Sequence, residues 1–414
     1  MTMAIRDPQP GEVVVNPFPV SAGELQVGGL PLSRLAARVG CTPFYAYDRA
    51  VLASHVRGLR AALPAGVDLH YAVKANPMPA LIHAMAGLVD GMDVASAGEM
   101  ARVLDAGVDP AGVSFAGPGK TATELRQAVA AGIAVSLESE SEIPALAQAG
   151  LALGVRPRVL VRVNPDFDLK SSGMKMSGGP RPFGIDAERV PAALVQVARA
   201  GLLFEGFHVY AGSQGLDAAA LGEMQERTVD LMLRLAADAP ASPAVFNIGG
   251  GYGVPYFPGD RHLALESVME PLARQAARAR HALPGVRLVL ELGRYLVAHC
   301  GVYVVRVIDR KVSRGRTFLV TDGGLHHHLA ATGNLGQVLR RNFPLVAGLA
   351  REGQTESASV TGPLCTPLDV LGEKVELPPV QAGDLLCVLL SGAYGATASP
   401  QGFLGHPPVV EVLV

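Results

Sequence analysis

Residues 69–137 contain the pattern from which we predict the fold. Their sequence is LHYAVKANPMPALIHAMAGLVDGMDVASAGEMARVLDAGVDPAGVSFAGPGKTATELRQAVAAGIAVSL. It alternates short β-branched runs, which start about 22 residues apart, with segments in which Ala and Leu recur at helical spacing before a closing Gly. We predict eight strands in all, at 69–74, 91–94, 113–116, 134–137, 158–163, 204–209, 244–248 and 287–291. Eight such alternations are typical of a (β/α)8 barrel, whose parallel strands are buried on both faces.

The chain after Glu291 has a different pattern. The segments VYVVRVIDRKV, RTFLVTDGG and DLLCVLLSGAY indicate strands separated by turn residues rather than by helices. The strand-like TPFYAYD near the amino terminus is expected to pair with them. The sequence thus predicts an α/β protein with a TIM-like barrel over 48–296 and a second, β-rich, sandwich- or barrel-like domain built from 1–47 and 297–414. The Gly- and Pro-rich segment 173–186 is expected to be an insertion in the barrel.

Composition excludes several classes of protein. The 414 residues are 49% apolar and 17% charged, which is too apolar for a disordered chain. The net charge of −2 supplies no positive field for nucleic acid, and no apolar run is long enough for a membrane span. We see no signal peptide, and the four Cys form no CxxC pair, so neither a disulfide scaffold nor a zinc site is indicated. We expect a soluble, cytoplasmic protein.

Lys74 stands where the first predicted strand ends. Active sites of such barrels lie at the carboxyl ends of the strands. Burial after the apolar run would lower the pKa of a lysine amine and so favour an imine with an aldehyde. The alternative is a lysine that reaches the surface along its aliphatic stem.

Two further motifs follow strands at the same end of the barrel. NIGGGYG contains three consecutive glycines, Gly249, Gly250 and Gly251, whose backbone N–H groups can approach an anion closely. ELGR places Glu291 three residues before Arg294. Glu291 could contact a protonated ring nitrogen and Arg294 a phosphate, or the two side chains could form an ion pair with each other. A lysine, a glycine cradle, a carboxylate and a guanidinium together match what pyridoxal phosphate requires.

These motifs identify a resemblance to the fold-type III pyridoxal-phosphate decarboxylases, the family of diaminopimelate, ornithine and arginine decarboxylases. The resemblance runs over nearly the whole chain. The motifs that carry it, in order, are YAVKAN (71–76), GMDVASAGEM (91–100), GFHVYAGSQ (206–214), NIGGGYG (247–253), ELGR (291–294), TDGG (321–324), GPLCTPLD (362–369) and SGAYG (391–395).

The resemblance implies a role for each matching residue. Lys74 would hold the cofactor covalently, and Cys365, reaching the site from the other subunit of a homodimer, would protonate the carbanion left by decarboxylation. Tyr210 would stack on the cofactor ring, and His208, two residues earlier, would also contact the cofactor. Asp93 and Arg162 would support the ring or form a buried ion pair. The other residues implied in cofactor binding are Ser213, Gly249, Gly250, Gly251, Glu291, Gly293, Arg294 and Tyr394.

Departures from the family pattern bear on the substrate. Family members that act on basic amino acids commonly have an acid after the cysteine, whereas this chain has Thr366, which cannot pair with an ammonium. Asp322 and Asp369 remain candidate substrate residues. The chain also resembles a subgroup associated with exopolysaccharide and exosortase gene sets, and decarboxylases whose amino acid is held as a carrier-protein thioester. Such a substrate has a neutral far end, and an acyl carrier protein would present it.

Three alternatives stay open. The chain would act on diaminopimelate or another basic amino acid, or it would be an amino-acid racemase, or it would be an inactive binding protein on the same fold. His326, His327 and His328 are adjacent, so they cannot all face one metal ion, and we expect a structural role for them. Cys41, Cys300 and Cys387 are expected to be packed as small apolar residues.

Overall fold

The structure, a computed structural model, describes residues 16–167, 174–257, 259–335, 337, 340–351 and 354–414, of which 174 and 175 by their backbone. These residues form two compact units. The barrel unit comprises 56–254 and 263–295, and the β-rich unit comprises 16–55, 255–262 and 296–414 within the described residues. The predicted insertion 173–186 starts outside the described residues and contains two short strands, Met174–Lys175 and Ile185–Asp186.

The barrel unit is a closed cylinder of eight parallel strands, as the sequence predicts. The strands are Val67–Ala72, Gly91–Val94, Val113–Phe115, Ala134–Leu137, Arg158–Asn164, Leu203–His208, Val245–Gly250 and Arg287–Leu292. Each pairs with the next in parallel, and the eighth returns to the first, with Glu291 opposite His70 and Leu292 opposite Tyr71. We number them one to eight in this order.

Helices follow from the apolar spacing and from local caps. The Thr121 side chain and Glu124 form a reciprocal capping box at the start of one helix, which ends at Gly132 with φ +76°. Ser96 caps the preceding helix by accepting from the N–H of Glu99. The helices that alternate with the barrel strands are Arg49–Ala62, Pro79–Ala86, Ala97–Asp105, Ala122–Ala131, Glu142–Leu153, Val190–Arg199, Ala218–Ala236 and Leu265–Ala282, and the short helix Arg294–Val297 follows strand eight.

The β-rich unit is organised around the long strand Gly301–Ser313. The predicted amino-terminal strand, Phe44–Tyr47, pairs antiparallel with it and parallel with the last strand, Val410–Leu413, so the pairing expected of TPFYAYD is confirmed. A helix, Leu32–Val39, packs on this sheet. The remaining strands are Val20–Ser21, Glu24–Val27, Leu30–Pro31, Arg316–Thr321, Leu345–Ala347, Glu356–Thr361, Val370–Leu377 and Leu385–Val388.

Two details of this unit differ from expectation. The segment 255–262 follows strand seven in the chain but belongs to the β-rich unit, because the ring of Tyr256 packs 4.5 Å from that of Phe343. Cys41 is exposed, since it follows the Gly40 turn that ends a helix, whereas Cys300 and Cys387 are buried as expected. No described helix combines the length and apolar character that crossing a bilayer requires.

Candidate active site

Lys74 lies on a single 3-10 turn, Val73–Ala75, directly after strand one. The strand ends at Ala72, two residues earlier than the sequence predicts. Val73 and Ala75 occupy the buried positions of the turn, and the Lys74 side chain is 41% exposed. The structure therefore does not show the burial that the apolar run before Lys74 suggests. Gly293 packs against this turn, where a Cβ atom would lie 2.9 Å from Cβ of Ala75.

Glu291, on strand eight, is the carboxylate beside this lysine. Its Oε1 lies 3.9 Å from Lys74 Nζ, and its Oε2 lies 3.3 Å from His208 Nε2. Burial alone would raise the pKa of Glu291, but the close contact with His208 and the charge of Lys74 hold the pKa well below its ordinary 4.5. His208 in turn contacts Ser136 Oγ through Nδ1 at 2.8 Å. The structure thus places a buried anion beside Lys74 and places His208 against it.

Arg162 and Asp93 contact different partners. Arg162 Nη1 donates to Glu138 Oε1 at 2.5 Å, in an ion pair whose side chains are 7% and 1% exposed. Asp93 Oδ1 accepts from Ser114 Oγ at 2.5 Å and lies 3.3 Å from His70 Nδ1. The buried ion pair considered for Arg162 therefore exists, with Glu138 as its partner.

Glu138 is a residue that the sequence analysis missed. It directly follows strand four, so the rule that singled out Lys74 and Glu291 would have found it. Besides the ion pair with Arg162, it accepts from the backbone N–H groups of Gly117 and Gly184, each at 2.7 Å. Burial would raise its pKa, but Arg162 and Lys120 lower the pKa below the ordinary 4.5.

Lys120 is a second lysine at the same pocket. Its Nζ is 3.0 Å from Glu142 Oε1 and donates to the carbonyl oxygens of Gly117 and Ser136 at 2.7 and 3.0 Å. Burial lowers the pKa of Lys120 below 10.5, and the charge of Glu142 offsets this only in part. Its three donors have three acceptors in the protein, so Lys120 is held in a structural role. Lys74 Nζ lies 5.0 Å from the centre of the Tyr210 ring and 3.9 Å from Glu291 Oε1.

The three glycines at the end of strand seven lie where side chains would collide with the backbone. Gly249 and Gly251 have φ of +66° and +75°, which favours glycine. A Cβ at Gly250 would lie 2.2 Å from the Glu291 carbonyl oxygen, and one at Gly251 would lie 2.3 Å from that of Gly212. Ser213 lies earlier in the chain, on the two-residue strand Gly212–Ser213 that Gly251 approaches. Close backbone approach, which a phosphate cradle needs, is therefore built into this segment.

A pocket of about 380 Å³ brings together six of the twelve predicted site residues of the barrel unit. This volume is within the range of small-molecule sites. Its lining includes Lys74, Asp93, Arg162, His208, Tyr210 and Glu291, together with Lys120, Glu124, Met176 and Phe183. Arg294 begins the short helix after strand eight and is half-buried.

The β-rich unit carries the remaining predicted residues. Cys365 is exposed and Thr366 half-buried on the loop between Glu356–Thr361 and Val370–Leu377. Tyr394, with φ +53°, follows the strand Leu385–Val388 in the sequence SGAYG. Asp322 accepts from Thr42 Oγ1 and from the N–H of Arg306.

Asp369 lies at the end of the Cys365 loop. It is 2% exposed, and its two carboxylate oxygens accept from the N–H groups of Leu325 and Leu364 at 2.6 and 2.8 Å. These contacts hold the Cys365 loop to the segment after Thr321. Of the three adjacent histidines, Nε2 of His328 lies 2.9 Å from Ser391 Oγ, and Nε2 of His327 lies 2.9 Å from the carbonyl oxygen of Pro407. The ring of His326 packs against the rings of His327 and His406.

Comparison with known proteins gives the family. Residues 49–298 match the model of the pyridoxal-binding domain of pyridoxal-dependent decarboxylases. The chain belongs to this family. It is 38% identical to the L-glutamyl-[BtrI acyl-carrier protein] decarboxylase of Niallia circulans, over 90% of this chain and 88% of that one. It is 32% identical to the diaminopimelate decarboxylase of Zymomonas mobilis, over 96% and 93%. A crystal structure from Aquifex aeolicus superposes with a TM-score of 0.82 at 28% identity, covering 96% and 92%.

This decarboxylase therefore uses pyridoxal phosphate, and the pocket fits that cofactor. When bound, the cofactor supplies an aldehyde for an amine and a pyridinium ring that delocalises the electrons left by departing CO2. Glu291 is an anion that can pair with a protonated ring nitrogen, because its pKa is low. Gly250 leaves a backbone surface that a Cβ would fill. Both features suit the group that the family requires.

Proposed function

We propose that this enzyme decarboxylates an amino acid that is attached to a carrier protein through its side-chain carboxyl group, as a thioester. The α-carboxylate leaves as CO2 and one proton takes its place at the α-carbon. The similarity to the Niallia circulans enzyme, whose name specifies a glutamyl group on an acyl carrier protein, carries this proposal.

The residue after the cysteine supports the same substrate class. Thr366 is neutral, and its Oγ1 accepts from the N–H of Leu368 at 3.3 Å. The thioester end of a carrier-bound glutamyl group is neutral as well, whereas diaminopimelate and lysine carry an ammonium at that end. A neutral hydroxyl cannot form an ion pair with an ammonium, so Thr366 favours the thioester over a substrate with a distal ammonium.

The proposed roles divide binding from proton transfer. Lys74 holds the cofactor, Glu291 pairs with its ring nitrogen, and Tyr210 stacks on its ring. Asp93, Arg162 and His208 fix the charges around the ring. The residues proposed to bind the phosphate or shape its cradle are Ser213, Gly249, Gly250, Gly251, Gly293, Arg294 and Tyr394.

Cys365 is the proposed proton donor. Its thiol gives a proton to the α-carbon after CO2 departs and regains one from solvent before the next turnover. Each active site is proposed to combine Lys74 of one subunit with Cys365 of the partner in a homodimer, so neither subunit is complete alone.

A substrate panel tests this function. CO2 release would be followed with γ-glutamyl carrier-protein thioester, free glutamate, meso-diaminopimelate and ornithine at equal concentrations. We expect kcat/KM for the thioester to exceed that for every free amino acid by at least about 100-fold, a transition-state difference of about 2.7 kcal/mol. A higher value for diaminopimelate would overturn the proposal and favour the second candidate, which the similarity to the Zymomonas mobilis enzyme supports.

A further inference from the structure

A second cavity lies within the barrel, at the amino-terminal ends of the strands. This lower cavity has a volume of about 440 Å³, and its lining includes His70, Ser114, Arg158, Glu205 and Arg287. The basic residues of this lining are paired, because Arg158 lies 2.6 Å from Glu205 and Arg287 pairs with Asp68. Of the acidic residues, Asp90 pairs with Arg60, and Asp109 accepts from the N–H of Ala111. The imidazole of His70 is therefore the group of this lining that can gain or lose a proton near neutral pH.

His70 joins this cavity to the active-site pocket. Its ring lines the lower cavity, while its Nδ1 lies 3.3 Å from Oδ1 of Asp93, which lines the pocket that contains Lys74 and Glu291. Small residues make room for the ring, since a Cβ at Gly91 would lie 2.4 Å from His70 Nε2. The His70 side chain keeps 13% of its surface exposed, whereas that of Asp93 keeps 4%.

Asp93 needs a charge partner at this position. Its Oδ2 is buried and has no hydrogen-bond partner among the residues that the structure describes. Its Oδ1 accepts from Ser114 Oγ, which is neutral, so the cationic form of His70, with Nδ1 3.3 Å away, can compensate a negative charge here. A buried carboxylate without such compensation is costly.

The surroundings of His70 favour the protonated imidazole. Burial by itself lowers its pKa, but the charge and hydrogen bond of Asp93, with the charges of Asp68 and Glu291, raise the pKa above the ordinary 6.5. Asp90 also acts on this group, because the two charges interact. Four acidic residues thus face His70 from strands one, two and eight and from the loop before strand two.

We propose that His70 is a positioning residue for the decarboxylase: from the lower cavity, its proton balances the Asp93 carboxylate beside the cofactor pocket. Loss of that proton adds a net negative charge next to Lys74 and Glu291. The state of His70 therefore sets the electrostatic field in which the cofactor ionises. This inference concerns the resting enzyme and does not depend on the identity of the substrate.

Visible absorbance of the resting holoenzyme tests the proposal without any substrate. The spectrum of the bound cofactor would be recorded between pH 5.5 and 9 for the wild type and for His70→Gln, which keeps a hydrogen-bonding side chain but cannot take a proton. We expect a step in the wild-type spectrum with a midpoint above pH 6.5 that is absent from His70→Gln. Turnover should fall about tenfold, as for residues that orient a charged group at an active site, with a smaller change in KM.

Two further variants keep the test decisive. His83→Gln makes the same change at an exposed residue of the helix Pro79–Ala86 and should keep the wild-type step. Asp93→Asn removes the group that raises the His70 pKa, so it should move the step to lower pH even if His70→Gln folds poorly. Retention of the wild-type step in His70→Gln, or an unmoved step in Asp93→Asn, would overturn the proposal.

Discussion

A substitution at Thr366 tests the proposed substrate directly. Replacing it by Glu places a carboxylate after Cys365, at a half-buried position where none stands now. Because a carboxylate can pair with a distal ammonium, Thr366→Glu should raise kcat/KM for meso-diaminopimelate by about tenfold or more, equal to about 1.4 kcal/mol. The matched control is Thr366→Gln, which has the same size and no charge. An equal effect of both variants would show that charge at this position does not select the substrate.

The Glu138–Arg162 pair is predicted to stabilise the barrel. Both side chains are buried, so Glu138→Gln leaves an unpaired guanidinium and should lower the free energy of unfolding at pH 7 by about 3–5 kcal/mol. Because the folded pKa of Glu138 is below 4.5, this stabilisation is present above about pH 4.5 and is lost as the pH falls through that lowered pKa.

Urea unfolding of wild type and Glu138→Gln at pH 7 and at lower pH measures this difference. Glu270→Gln provides the control, since Glu270 forms an exposed pair with Arg274 and its loss should cost less than about 1 kcal/mol. A difference that stays constant with pH would contradict the assigned ion pair.

Among the elements, the glycine segment at the end of strand seven is predicted to tolerate no side chain. A methyl group at Gly250 would contact the carbonyl oxygen of Glu291, so Gly250→Ala should destabilise the protein by about 1–3 kcal/mol and weaken cofactor binding. Gly58→Ala, in the exposed part of the helix Arg49–Ala62 with no atom within 4 Å, should instead stabilise by about 0.5–1 kcal/mol. Thermal melting and cofactor titration measure both effects, and equal behaviour of the two variants would contradict this packing.

The elements were predictable from sequence because apolar period and glycine spacing are local. Eight strands were found, with ends displaced by one or two residues, as at Ala72 and Gly250. A short sequence pattern cannot predict which charged residue on another strand will form an ion pair with a given side chain. Arg162 could have paired with Asp93 on sequence grounds, and the choice of Glu138 follows from strands four and five being neighbours with a given register. His70 escaped notice because its significance depends on a cavity.

For the whole molecule, a shared active site predicts complementation between two inactive variants. Lys74→Ala lacks the amine and Cys365→Ala lacks the proton donor. When equal amounts are unfolded and refolded together, half of the dimers contain one complete site out of two, so about one quarter of wild-type activity should return. Each variant refolded alone should stay below this level. No recovery in mixtures shown to contain heterodimers would contradict sharing between subunits.

Lys74, and not Lys120, is the lysine of the pocket that we propose to bind the cofactor covalently. The measurement is borohydride reduction of the holoenzyme, followed by proteolysis and mass spectrometry of the labelled peptide. We predict the pyridoxyl label on Lys74, because Lys120 is already held by Glu142 and two carbonyl oxygens. A label on Lys120, or no labelled peptide in an enzyme that retains its visible absorbance, would contradict the account.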